Sequence, residues 1–416
     1  MSKGYTSPLN KKLPSFNKKV LSAAIKIALA LNSKINEEMY FSRKTYFYPD
    51  LPSSFQITQY EIPLAVNGIF DNIKIKRVHI EEDPGKLIHY NNYVLIDYNR
   101  SGTPLVEIVT EPEFASPEQA RLFLQKLLTV LEYLKVYSRK SESSLREDAN
   151  ISTTRERVEI KNIGSIKDVE KALQEEIKRQ QHTPVKTQET RGWDQDQQTS
   201  ILLRTKESEL DYGYTFEPNL TKIVLLKEDI ERVRKELPEL AEKKAVRFIK
   251  QYQMKTDDAK VLTSDLELAE LFETVAQKVD HQLTARWFVR EIPKILNYNK
   301  ITLQEWGITE KEIIELLSLL QKKEITETVA QKILEKLSEK MFSPSDYVKK
   351  EKLTKVSSEK DLISIVEKII KENQKAVQSY KQGEEKSFDY LIGQVMKLTR
   401  GTADPHIVRK LLKEKI

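Results

Sequence analysis

Two short stretches of the chain bring acidic and basic side chains together in a pattern suited to holding phosphate and a hard cation. In EDANISTTRERVEIKN, the two-residue repeat of an extended strand sets Asp148, Asn150 and Ser152 on one face of one strand. The same repeat sets Arg157, Glu159 and Lys161 on one face of the next. Carboxylates such as Asp148 and Glu159 ligate a hard cation through oxygen, and Lys161 supplies charge for phosphate. A solvent-facing side of an ordinary antiparallel sheet has the same alternation, so the mixture of residue types is what points to a site. The second stretch is Glu81-Glu82-Asp83, followed by a Pro-Gly turn and Lys86. It suits magnesium and phosphate, and it also fits an exposed acidic turn. Glu107 and Glu111 in LVEIVTEP share a face with apolar residues, and a carboxylate buried there needs a partner. Arg43-Lys44 precede the aromatic run Tyr46-Phe47-Tyr48, which can stack on a base or pack in a core.

Several chemistries are excluded. The chain has no cysteine, hence no disulfide, thiolate nucleophile or cysteine-bound zinc, and none of its five histidines stands in an HxH or HExxH pattern. Neither GxxxxGK[ST] nor GxGxxG occurs, so any nucleotide is held outside a P-loop or Rossmann frame.

The elements that must carry these residues differ between the two halves. Asn17 caps a helix over LSAAIKIALAL, Ser116-Pro117-Glu118-Gln119 opens a second as a capping box, and Ser165 opens a third. Between them IKIKRVHI, YVLIDY, LVEIVTE, ANIST and RVEIKNI read as strands. After Pro218 the periodicity is helical, with breaks expected at Pro238 and Pro293 and a linker at MFSPSDY. The fold class is α+β: a mixed-sheet cradle over 1–222, then two all-α domains over 223–298 and 299–416.

With 416 residues, 39% hydrophobic and 32% charged, the composition is that of a multidomain globular chain. There is no apolar run of membrane-spanning length and no apolar segment behind the basic N-terminus, so a cytoplasmic location is expected. Of the net charge of +6, the segment from Ser343 to Ile416 holds +5, with 16 Lys and Arg against 11 Asp and Glu. Such a tail suits a polyanionic partner or a solvated helical surface.

Read in order, RKTYFYPDLPSSFQITQYEIP, HIEEDPGKLIHY, DYNRSGTPLVEIVTEPEF, LREDANIS, VEIKNIGS and QETRGWDQD resemble the B-subunit family of aspartyl/glutamyl-tRNA amidotransferases. ELPELAEKKAVRFIKQY and DDAKVLTSDLELAELFE are similar to that family's helical domain, and LIGQVMKLTRGTADPHIVRKLLKEKI to its YqeY-type tail. DYGYTFEPNL looks closer to archaeal members, with Asn219 in place of the usual Asp.

The resemblance implies an activity. Members use ATP and magnesium to phosphorylate the side-chain carboxylate of Glu on tRNA(Gln) or Asp on tRNA(Asn). Ammonia from a separate amidase (A) subunit then displaces the phosphate, in a complex that includes a small C subunit. Carried over by motif, Lys44 contacts phosphate, and Glu81 or Glu82, Asp148 and Glu159 lie at the magnesium. Lys86 and Lys161 fall in the same motifs as phosphate-binding candidates, with Asn150 beside them. Lys397, Arg400 and Arg409 are candidates for gripping tRNA. The chain lacks the family's E-V-H-V strand and CPVC zinc element, so no zinc is expected. A shortened gene product, a chain completed by another polypeptide, and a degenerate member that binds tRNA without catalysis all fit that departure.

Overall fold

The computed structural model describes residues 16–90, 92–138, 145–153, 156–206, 213–356 and 359–416. The segment SPLNKKLPS near the N-terminus, and Asp211 and Tyr212 of DYGYTFEPNL, lie outside the described residues. The chain divides into two compact units, Met1–Leu240 and Ala241–Ile416.

The first unit begins with helix α1 (Lys18–Ala30), capped by Asn17, whose Oδ1 accepts from the Lys19 N–H at 2.9 Å. The chain then runs through strands β1 (Lys34–Ile35), β2 (Glu38–Met39), β3 (Ser42–Thr45), β4 (Phe55–Thr58), β5 (Ala65–Phe70), β6 (Ile73–Glu82), β7 (Lys86–His89), β8 (Val94–Asp97) and β9 (Pro104–Thr110). Helix α2 (Pro117–Tyr133) leads to β10 (Glu147–Ile151) and β11 (Val158–Ile163). Helix α3 (Ile166–His182) precedes β12 (Gln188–Asp194), β13 (Thr199–Lys206), β14 (Gly213–Phe216), β15 (Ile223–Val224) and α4 (Lys227–Lys235).

Two four-stranded sheets dominate. The first, in the order β1-β5-β6-β9, is antiparallel throughout. The second, β10-β11-β12-β13, is mixed: β11 and β12 run parallel and are joined by α3, the crossover that parallel neighbours require. The architecture is therefore α+β with a mixed sheet, as expected. The first sheet packs on α1 and α2 through Ile75, Val78, Ile80, Phe123 and Leu127. The second packs on α3 through Val158, Ile160, Val169 and Ala172. Burial of one such aliphatic side chain stabilises by roughly 1.5–3 kcal/mol. Helices α2 and α3 hold the sheets in relation to one another, with Arg121 Nε 2.7 Å from Glu170 Oε2.

One glycine fixes a close approach. A Cβ on Gly68 in β5 would stand 2.2 Å from Ser33 Oγ and 2.7 Å from the Leu31 carbonyl, so no side chain fits where the end of α1 crosses this strand.

The second unit is helical among its described residues and holds two apolar cores, one over Ala245 to Val348 and one over Leu362 to Leu412. Two local expectations give way here. Pro293 does not break its helix: Trp287–Glu291 forms a π-turn, in which the Ile292 N–H donates to the Trp287 carbonyl, and the helix Ile292–Asn299 continues with Pro293 in its first turn. The wide turn absorbs the missing proline N–H. MFSPSDY is not a linker either. Ser343 caps the helix Pro344–Glu351, whose Val348 is buried in the first of these cores. No described helix is long and apolar enough to cross a membrane.

Candidate active site

The two sheets of the first unit line a common cleft of ≈ 2900 Å³. On the wall formed by β10 and β11, Ala149, Val158 and Ile160 turn inward to α3 while Asp148, Asn150, Glu159 and Lys161 turn outward. Antiparallel pairing sets Asn150 across from Glu159. Lys161 Nζ lies 2.8 Å from Asp148 Oδ2 and 3.1 Å from Glu159 Oε1, so one ammonium bridges two carboxylates. Burial works against the charged lysine, but Asp148 and Glu159 outweigh it and hold the ammonium above its ordinary range. Thr190 on β12 donates to Glu159 Oε2 at 3.2 Å, which fixes the carboxylate from the neighbouring strand.

Across the cleft, the end of β6 and the middle of β9 supply a second group. His79 is the cross-strand partner of Glu107, and its Nε2 lies 3.1 Å from Glu107 Oε2 and 3.4 Å from Glu81 Oε2. Burial disfavours the charged imidazole, yet the hydrogen bonds to Glu107 and Glu81 prevail and raise its pKa. Glu107 moves the opposite way: burial pushes its carboxyl up, but His79, with Arg77 and Lys44 adding charge, brings it below the usual range. Thr58 on β4 donates to Glu81 Oε2 at 3.1 Å. The three donor atoms of His79, Glu81 and Glu107 lie within 4.8 Å of one another. The other ring nitrogen, His79 Nδ1, is buried with no hydrogen-bond partner.

The expected residues are thus distributed unevenly. Lys44, Glu81, Lys86, Asp148, Asn150, Glu159 and Lys161 all line the one cleft. Glu82 does not. It follows Glu81 on β6 and so takes the opposite face, where burial, with the Glu217 charge adding to it, raises its carboxyl. Its carbonyl accepts from Gln56 Nε2 at 2.7 Å. The three tail residues belong to the second unit: Lys397 is in the last turn of the helix Glu385–Leu398 and Arg400 stands in the following turn at φ 54°. Arg409 Nη2 is 3.1 Å from Asp389 Oδ1.

The chain matches two family models, one described as the GatB/GatE catalytic domain over residues 7–231 and one described as the GatB domain over 270–416. It is 43% identical to the aspartyl/glutamyl-tRNA(Asn/Gln) amidotransferase B subunit of Methanothermobacter thermautotrophicus, over 96% of this chain and 89% of that protein. The B subunits of the same description from Carboxydothermus hydrogenoformans and Thermotoga petrophila are each 40% identical, over 97% of this chain and 89% of theirs. The chain belongs to the amidotransferase B-subunit family.

Within that family frame, the cleft contains groups that the sequence does not single out. His79 stands in no metal-binding pattern, because its partners Glu81 and Glu107 come from an acidic run and from another strand. Glu147 also lines the cleft, and burial together with the neighbouring Asp148 charge pushes its carboxyl up to about 7. Arg100 and Arg146 line it as well. Strand alternation marks His79 and Glu81 as one face. Nothing local marks the two arginines.

Asn219, the departure from the usual Asp, lies against Glu217. Its backbone N–H donates to Glu217 Oε1 at 2.8 Å, and the other carboxylate oxygen of Glu217 accepts from Arg43 Nε at 2.7 Å.

Proposed function

We propose that this chain, as the B subunit of a tRNA-dependent amidotransferase, uses ATP and Mg²⁺ to activate the side-chain carboxylate of Glu-tRNA(Gln), Asp-tRNA(Asn) or both. The observation that carries the reading is the cleft itself. Two carboxylate groups from different sheets, Glu81 with Glu107 and Asp148 with Glu159, line it together with Lys44, Lys86 and Lys161. Carboxylate is a poor acyl donor to ammonia. In the reaction, the substrate carboxylate oxygen attacks the γ-phosphorus and the bond to ADP breaks. Ammonia then attacks the acyl carbon and inorganic phosphate leaves, with the amide retained on the tRNA.

The donor sets fit a divalent cation. Glu81 and Glu107 present oxygen beside His79, with donor atoms of the three within 4.8 Å of one another. The ammonium of Lys161 between Asp148 and Glu159 marks a second place where positive charge is stabilised. These carboxylates would hold Mg²⁺, which would supply charge stabilisation to the transferring phosphate. Lys44 and Lys86 orient the phosphates. Lys161, released from either carboxylate, reaches phosphate with its ammonium. Glu82, on the other face of β6, is not among the residues lining the cleft.

The ammonia comes from a partner amidase (A) subunit, and a small C subunit completes the assembly, a reading that the likeness to amidotransferase B subunits supports. The basic tail, through Lys397, Arg400 and Arg409, holds the tRNA body. A second reading is a member that binds tRNA without catalysis. Ammonia-dependent formation of Gln-tRNA(Gln) or Asn-tRNA(Asn) by the assembled complex decides between them, with Glu159→Gln as control. ATP-dependent amide formation that is lost in Glu159→Gln supports the enzyme; bound tRNA with no ATP consumed by the wild type supports the second reading.

A further inference from the structure

Asp83, the last of the three adjacent acids, belongs to neither carboxylate group of the cleft. It is 4% exposed. Its backbone is pinned: its N–H donates to the Thr103 carbonyl at 2.8 Å, and its own carbonyl accepts from the Gly102 N–H at 3.0 Å. Its carboxylate faces two guanidinium groups. Arg100, from the turn between β8 and β9, reaches Oδ2 with Nη2 at 2.7 Å and Nε at 3.0 Å. Arg146, just before β10, brings Nη2 to 3.2 Å from Oδ1 without hydrogen-bond alignment. One buried carboxylate therefore gathers two cations from separate segments, one against each wall of the cleft, and both line the cleft near Lys86 and Asp50.

The two guanidinium groups share the single Asp83 carboxylate, one on each of its oxygens, and both line the cleft. Repulsion between neighbouring cations is relieved by an anion that reaches both, and guanidinium groups offer fork-shaped donor pairs to phosphate oxygens. We propose that Asp83 is a positioning residue that holds Arg100 and Arg146 as a paired clamp for the phosphate chain of a nucleoside triphosphate. This rests on the kinase reading above and adds the residues that would bind the nucleotide's phosphates where no P-loop exists.

The test is calorimetric binding of tripolyphosphate, and separately of ATP with Mg²⁺, to the full chain and to Arg100→Gln, Arg146→Gln and Asp83→Asn. Each arginine variant is expected to weaken tripolyphosphate binding about ten-fold or more, the usual scale for losing a charge-assisted contact. Each should also flatten the dependence of affinity on salt. Asp83→Asn, which leaves both cations present but unanchored, is expected to weaken binding by several-fold with a shallower loss of salt dependence. Thermal melts identify any variant that fails to fold; if Asp83→Asn does, Asp83→Glu replaces it. The clamp is overturned if folded Arg100→Gln and Arg146→Gln bind tripolyphosphate as the wild type does, or if the wild type binds none. The positioning role is overturned if folded Asp83→Asn binds unchanged. Tripolyphosphate and ATP both bound through the two arginines while ATP is not consumed would sink the kinase reading and leave the clamp standing; tripolyphosphate bound while ATP is not would overturn the clamp as a nucleotide site.

Discussion

Glu107 Oε2 lies 3.1 Å from Nε2 of His79, its direct partner across the β6–β9 ladder. The pairing joins a carboxylate open to the cleft to an imidazole that is buried, so the exposed member is oriented from behind. Ligand orientation by such a neighbour commonly changes metal affinity by about 10–100-fold.

That relationship separates two adjacent acids. Glu81 shares the His79 face of β6, and Glu82 takes the other. Glu81→Gln and Glu107→Gln are expected to raise the Mg²⁺ concentration for half-maximal ATP consumption by about ten-fold or more. Glu82→Gln should leave it within about two-fold. A magnesium titration of the assembled enzyme checks this, and equal effects at Glu81 and Glu82 would remove the basis for placing the cation on the His79 face.

Lys161 is predicted to matter for turnover rather than for folding. Its ion pairs with Asp148 and Glu159 are partly solvent-exposed, and pairs of that kind contribute about 0–1 kcal/mol to stability. Positioned charge acting on a developing phosphate is worth about 10²–10³ in rate. Lys161→Met should therefore melt within a few degrees of the wild type while kcat for amidation falls about 100-fold. A variant that unfolds, or one with undiminished kcat, contradicts the assignment.

Much of the first wall is legible in the sequence because alternation is a local property. The run from Asp148 to Lys161 declares which side chains share a face before any partner strand is known. The second wall is different. His79 and Glu107 meet only through the register of β6 against β9, and alternation says that Glu81 and Glu82 oppose each other without saying which faces the cleft. Arg100 and Arg146 enter from a turn and from a segment just before a strand, where no periodicity operates. Helix starts are readable from their caps at Asn17, Ser116 and Ser165. At Ser116 the reciprocal bond differs from a full capping box: Gln119 Oε1 accepts from the Ala115 N–H instead. The continuity of the helix past Pro293 is not readable, since proline signals a break unless the turn before it widens, as Trp287–Glu291 does.

Behind the second sheet, Glu176 is fully buried and its two oxygens accept from Arg179 at 2.9 and 2.8 Å. Burial pushes its carboxyl up, but the Arg179 and Gln180 hydrogen bonds and the Arg191 charge hold the net pKa below the ordinary 4.5. A depressed folded pKa means that the stabilisation is fully present above about pH 4.5 and is lost as pH falls through the folded value. Glu176→Gln, which leaves Arg179 and Arg191 to share the Glu189 carboxylate, should cost about 2 kcal/mol at neutral pH. The difference in melting temperature from the wild type is expected to be steady above about pH 5.5, roughly one unit beyond the unfolded pKa, and to narrow on acidification. A gap that widens in acid would refute the ion-pair account.

The three tail cations differ in how freely they can meet phosphate. Arg409 is engaged with Asp389 and its guanidinium carbon lies 5.5 Å from the centre of the Phe388 ring. The Arg400 carbonyl accepts from Lys332 Nζ at 3.3 Å, which holds the backbone of this turn, and Arg400 lines a small cavity with Lys332, Lys336 and Tyr347. If this surface contacts the tRNA body, each phosphate contact releases counterions, and removing one cation lowers the slope of log affinity against log salt by about 0.7–0.9. Arg400→Gln and Lys397→Gln should each show that reduction, with a uniform loss of affinity across tRNA sequences. Arg409→Gln should show less, because the freed Asp389 and the lost ring contact change the tail itself as well as the tRNA contact. Filter binding of the full chain over 50–300 mM salt, about the range in which such slopes are measured, reads the outcome. Unchanged slopes for both Arg400→Gln and Lys397→Gln would move the tRNA contact off this turn.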